Sequence, residues 1–121
     1  MHPKAEELRN RTKQFALRGI KLFQNLPKTE EARIIGKQFI RSCTSVASNY
    51  RAACRARSDA EFYSKLCIVV EEADECLFWL EIITEAGIVQ VEKLENLMQE
   101  TEEILKIVSA SRKTVGEKLG R

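Results

Sequence analysis

Four runs of apolar residues at helical spacing, separated by three short polar breaks, organise the chain. The plainest run passes from Phe62 through Leu66, Val69, Ala73, Cys76 and Leu80 to Ile83. Its alternating steps of four and three keep one face of an α-helix apolar and amount to a seven-residue repeat. Ala32, Ile35, Phe39, Cys43, Val46, Tyr50 and Ala53 form a second stripe, and Leu94, Leu97, Met98, Thr101, Ile104, Leu105 and Val108 a third. In the first segment Leu8, Phe15, Ile20, Leu22, Phe23 and Leu26 cluster toward the C-terminal half, so that helix is expected to pack firmly only from about Phe15.

The breaks carry local stop and start signals. Pro27 cannot continue a helix, and Thr29 before Glu30 and Glu31 is an N-cap followed by two carboxylates suited to the helix dipole. Ser58-Asp59-Ala60-Glu61 reads as a capping box, with the Ser58 hydroxyl and the Glu61 carboxylate each accepting from a free backbone N–H. Gly87 supplies the left-handed conformation that ends a helix. Helices are therefore expected over about residues 4–25, 30–56, 59–86 and 90–114, all in one domain spanning 1–121.

Four amphipathic helices joined by short connections predict an all-α fold, an antiparallel up-down four-helix bundle in which sequence neighbours are spatial neighbours. A helix of about 25 residues is roughly 38 Å long, so the bundle must be elongated. The third helix has more apolar surface than one stripe requires, because Ile68, Val70, Leu77, Phe78, Trp79 and Ile82 flank the main positions. Such a helix is covered on a second side, and the expectation is a subunit contact near Phe78, Ile82 and Trp79. The bland alternative is that Phe78 and Trp79 fill the wide end of the core.

Composition narrows the classes further. At 121 residues, 44% hydrophobic and 31% charged with 5 Gly and 2 Pro, the chain is neither disordered nor low-complexity. Its single His is His2, and Cys43, Cys54, Cys67 and Cys76 contain no C-x-x-C pair, which disfavours zinc, haem and His-assisted nucleophilic chemistry. No apolar stretch approaches a membrane span, and the charged start MHPKAEELRNR has no signal-peptide core, so the expected location is cytoplasmic, with the cysteines acting as small buried hydrophobes.

The net charge of +2 conceals an asymmetry. Residues 1–57 carry 13 basic and 4 acidic side chains, whereas residues 58–90 carry one basic and 8 acidic. Glu71, Glu72, Asp74, Glu75, Glu81 and Glu85 invite comparison with a di-metal bundle, but such sites need Glu-x-x-His motifs and no His lies in the bundle. A solvated acidic face, or one paired to arginines of the second helix such as Arg41, fits better. Isolated glycines make no phosphate loop, and neither an enzyme nor a cofactor is expected. Ser42, Thr44, Ser45 and Ser48 imply close helix approach or hydrogen bonds back to carbonyls.

Arg33, Lys37, Arg41, Arg51, Arg55 and Arg57 run along the second helix, and Lys4, Arg9, Arg11, Lys13, Arg18 and Lys21 along the first. Such rows contact successive phosphates, or they pair with the acidic third helix within or between subunits.

The string Arg41-Ser-Cys-Thr-Ser-Val-Ala-Ser-Asn49-Tyr50-Arg51-Ala-Ala-Cys-Arg55-Ala-Arg57-Ser58, followed by Phe62, Lys65-Leu66, Glu71-Glu72-Ala73-Asp74-Glu75 and Trp79-Leu80, resembles the bacterial four-helix-bundle family encoded in intervening sequences of 23S ribosomal RNA genes. The match spans about residues 10–110 and rests on order and spacing together. The chain is also similar to the accessory variability protein of diversity-generating retroelements. The resemblance implies a non-catalytic bundle assembled as a ring-shaped homopentamer. It carries over at Arg41, Ser42, Ser45, Asn49, Tyr50, Arg51, Arg57, Ser58, Glu72, Glu75 and Trp79, and departs at Glu71, where many relatives have a basic residue.

Sequence and resemblance together give the expectation of a homo-oligomer that binds nucleic acid, structured RNA first, through Arg51, Arg55 and Arg57, with Arg41 and Lys37 on the same helix. Glu72 and Glu75 join Phe78, Ile82 and Trp79 as expected subunit contacts. The competing expectation is an adaptor that binds a protein partner, its arginines used in salt bridges to Glu72, Asp74 and Glu75.

Overall fold

The computed structural model describes residues 2–121, which form four helices and, among the described residues, no strand. They are α1 (Pro3–Gln24), α2 (Glu30–Cys54), α3 (Asp59–Glu85) and α4 (Val91–Lys118). Consecutive helices pack side by side, the diagonal pairs do not meet, and only a thin α1–α4 contact closes the ring of four. This is the up-down four-helix bundle that the apolar stripes predict.

The ends form as the local chemistry dictates, with two differences. Thr29 Oγ1 accepts from Ala32 N at 3.3 Å, and Ser58 Oγ accepts from Glu61 N at 3.1 Å. The second half of the capping box is absent, because the Glu61 carboxylate turns to Arg57 at 3.6 Å. Gly87 takes φ +73°, and its N–H and that of Ile88 return to Thr84 and Ile83 carbonyls. That arrangement satisfies two carbonyls left over at the end of α3. α4 continues to Lys118, four residues past the expected 114, since Val115 and Gly116 are still buried at that end.

The core fills with the predicted stripes: Phe15, Phe39, Val46, Leu66, Leu80, Ile83 and Ile104 are essentially sealed from solvent. α1 packs earlier than its weak pattern suggests, with Leu8 and Thr12 already buried. A Cβ at Gly19 would lie 2.3 Å from Cys43 Sγ, so only glycine permits the observed α1–α2 approach. The hydroxyl run on α2 bonds back along its own helix: Ser42 Oγ donates to Gln38 O at 3.1 Å and Thr44 Oγ1 to Ile40 O at 2.7 Å. Those bonds let small polar side chains sit against neighbouring helices without unsatisfied groups.

Candidate nucleic-acid interface

The register of α1 against α2, fixed by Gly19 against Cys43 and by Ala5 O near Cys54 Sγ, brings the basic residues of two helices together. Arg9 and Lys13 of α1 and Arg51 of α2 line one groove of about 390 Å³, with Asn10, Ala47 and Ser48 completing it. No carboxylate lines the groove, and none of the three cations makes an ion pair among the described residues. Ala47 and Ser48 are short, which leaves the long cationic side chains as the walls.

Arg33 and Arg51 are 18 residues apart, as are Lys37 and Arg55, which is about five turns of α-helix. All four therefore share a stripe beside α1, and all four are exposed and outside the ion pairs of the described residues. The stripe rises about 27 Å from Arg33 to Arg51.

Arg41 has a different setting. Its guanidinium donates to Glu72 at 3.2 Å and to Glu75, both on α3, and to Ser42 Oγ at 3.3 Å. Trp79 Nε1 donates to the same Glu75 oxygen at 3.2 Å. Burial pushes the Glu75 carboxyl up, but hydrogen bonds from Arg41 and Trp79 outweigh it and hold the group below its ordinary value. Arg41, Glu72, Glu75 and Trp79 thus form one network within the chain, joining α2 to α3. Arg57 is exposed in the α2–α3 connection and only loosely paired with Glu61.

On the opposite seam Arg11 donates to both Glu100 oxygens, at 2.8 and 2.7 Å, and pairs with Glu103 at 2.9 Å. The hydrogen bond to Glu100 leads the contacts that raise its already high pKa. Arg11 is therefore an α1–α4 clamp, while Arg9 and Lys13 on either side of it in sequence face the α2 groove. The first-helix cations form one row along the sequence, and helical rotation divides them between the two seams.

Phe78 is 50% exposed on the outer side of α3, edge-to-face with Trp79 at 5.0 Å between centroids, and Ile82 is half-buried. Glu71, Asp74 and Glu85 are exposed on the same helix and in no ion pair among the described residues. The outer side of α3 is therefore acidic where the α1–α2 groove is basic.

Among the described residues no three His, Cys, Asp or Glu side chains converge as a metal site, and no helix is long and apolar enough to cross a membrane. Burial pushes the Cys43 thiol up to about 12 and raises that of Cys76 as well, so both are inert packing groups at neutral pH.

Residues 5–110 match the family described as 23S rRNA-intervening sequence protein. The chain belongs to that family. A solved structure from Bacteroides thetaiotaomicron VPI-5482, described as a protein of unknown function from the S23 ribosomal protein family, is similar at 31% identity and a TM-score of 0.84. The alignment covers 91% of this chain and 98% of that one. No curated protein matches at a significant level. Four-helix architecture is thus common to this intervening-sequence protein and its solved relative, and neither description points to a catalytic activity.

Proposed function

We propose that this intervening-sequence protein is a non-enzymatic RNA-binding bundle that holds the phosphate backbone of structured RNA along the α1–α2 face. The observation that carries this reading is the groove in which Arg9, Lys13 and Arg51 converge without a carboxylate. Arginine and lysine released from internal pairing attract polyanions over long range, and contact with several phosphates displaces counterions. The description of the solved relative as a member of the S23 ribosomal protein family favours RNA as the polyanion.

Self-association belongs to the same reading. Phe78 and Ile82 on the outer side of α3 offer the apolar contact through which copies join, and a ring of copies repeats the basic groove once per subunit. The pentamer implied by the resemblance is the assembly proposed. The adaptor alternative uses the arginines in salt bridges between subunits; within the chain Arg41 is already paired with Glu72 and Glu75, whereas Arg51 and Arg55 make no ion pair among the described residues and are left to meet a ligand.

Fluorescence anisotropy of a labelled structured RNA tests the proposal. Arg9→Ala/Lys13→Ala/Arg51→Ala should bind at least about tenfold more weakly while keeping its helical content, and Arg41→Ala should bind as the wild type does. Equal affinity of the triple variant and the wild type would remove the groove from the account.

A further inference from the structure

A second cavity, of about 720 Å³, lies at the α1–α2 turn, at the far end of the same basic stripe. Phe23, Leu26 and Pro27 give it an apolar wall, and Lys28, Arg33 and Lys37 give it a cationic one. Its volume falls within the roughly 300–1,000 Å³ of small-ligand sites. Phe23 is only half-buried, so part of its ring is open to a ligand. The three cations are exposed and make no ion pair among the described residues. Glu30 is the one carboxylate on the rim, at the first residue of α2.

An aromatic and apolar wall beside a cluster of free cations matches one chemical class well: a flat apolar ring joined to a phosphate. Unpaired RNA bases are held by stacking on aromatic side chains while cations follow the backbone. We infer that this cavity seats an unpaired nucleotide of the bound RNA, its base against Phe23 and Pro27 and its phosphate toward Lys28, Arg33 and Lys37. The inference rests on the RNA reading above and adds to it. The groove at Arg9, Lys13 and Arg51 grips backbone, whereas the turn cavity recognises a base that has left the duplex. The stripe joining them implies a target in which a helical segment runs directly into a single-stranded one.

The test compares two labelled hairpins of the same stem, one blunt and one with a short single-stranded tail, against three proteins: wild type, Lys28→Ala/Arg33→Ala, and Phe23→Leu. Wild type should bind the tailed hairpin about tenfold more tightly than the blunt one, a difference of the size that one stacked base confers. Both variants should bind the two hairpins equally, and Phe23→Leu, which removes no charge, should keep the wild-type affinity for the blunt hairpin. The Lys28/Arg33 pair carries the test if Phe23→Leu fails to fold, since those side chains are exposed.

Equal wild-type affinity for the two hairpins overturns the inference while leaving the backbone groove intact. Binding of neither hairpin overturns the RNA reading and this inference with it. A labelled glutamate-rich peptide carrying one aromatic residue is the third probe. Binding of that peptide abolished by Lys28→Ala/Arg33→Ala, with no tail preference for RNA, would make the cavity a peptide site instead.

Discussion

Arg41 on α2 and Glu75 on α3 are joined by a charge-assisted hydrogen bond, and Trp79 donates to the same carboxylate oxygen. The pair locks the helices together and takes one arginine out of a basic row, separating a cation that holds the fold from those left to meet a ligand. Arg41→Ala should lower the melting temperature by about 1–4 °C, since the Arg41 side chain is 51% exposed and exposed ion pairs contribute about 0.2–1 kcal/mol. Trp79 is the single tryptophan, so its emission should shift in the same variant. Unchanged emission would show that the network does not persist in solution.

Protonation of Glu75 gives a pH dependence with a definite sign. Its folded carboxyl lies below the ordinary value of 4.5, so above that pH both folded and unfolded states are ionised and the network's full stabilisation is present. As pH falls below about 4.5 the unfolded state takes up the proton first, and the stabilisation is lost on passing through the folded pKa. Thermal midpoints of wild type and Glu75→Gln should therefore differ most at neutral pH and converge in acid. A gap that widens in acid contradicts the assignment.

Gly19→Ala should destabilise the bundle by about 1–3 kcal/mol, because the added methyl meets Cys43 Sγ at 2.3 Å in a packed core. Cys43→Ala in the same chain removes that sulfur and should recover part of the loss. Denaturant melts of the two single variants and the double variant measure the coupling directly. Strict additivity would mean that α1 and α2 separate easily at this contact.

Thiol labelling should divide the cysteines into two groups. Cys54 and Cys67 are half-buried and should react with an aromatic disulfide reagent in the native state, whereas Cys43 and Cys76 are sealed and should react only on unfolding. Rapid native labelling of all four would contradict the packing described for α2 and α3.

Local rules carried much of the fold. Thr29 and Ser58 announce their helices by a hydroxyl next to carboxylates, and Gly87 ends α3 for want of a Cβ, so these boundaries can be read from a few neighbouring residues. The capping box was legible only by half, because Arg57 competes for the Glu61 carboxylate. The candidate site was less visible. Spacing shows which residues share a face but not where that face points, and Arg41 and Arg51 differ by ten residues, about 2.8 turns, which sends them to different neighbours. Arg9 and Arg11 diverge likewise, one to the α2 groove and the other to Glu100. Gly19 was the missing signal: a glycine inside an apolar helix marks close approach and fixes the α1–α2 register.

The division of the cations into structural and ligand-facing sets is tested most directly by the salt dependence of RNA binding in two variants. For wild type, log affinity should fall steeply with log salt, by about 0.7–0.9 per phosphate contact. Arg9→Ala/Lys13→Ala/Arg51→Ala should flatten that slope by about two to three, one contact's worth for each groove cation removed, while Arg11→Ala/Arg41→Ala should keep the wild-type slope and melt at lower temperature. A groove variant with the wild-type slope, or a clamp variant with the flattened one, would contradict the account.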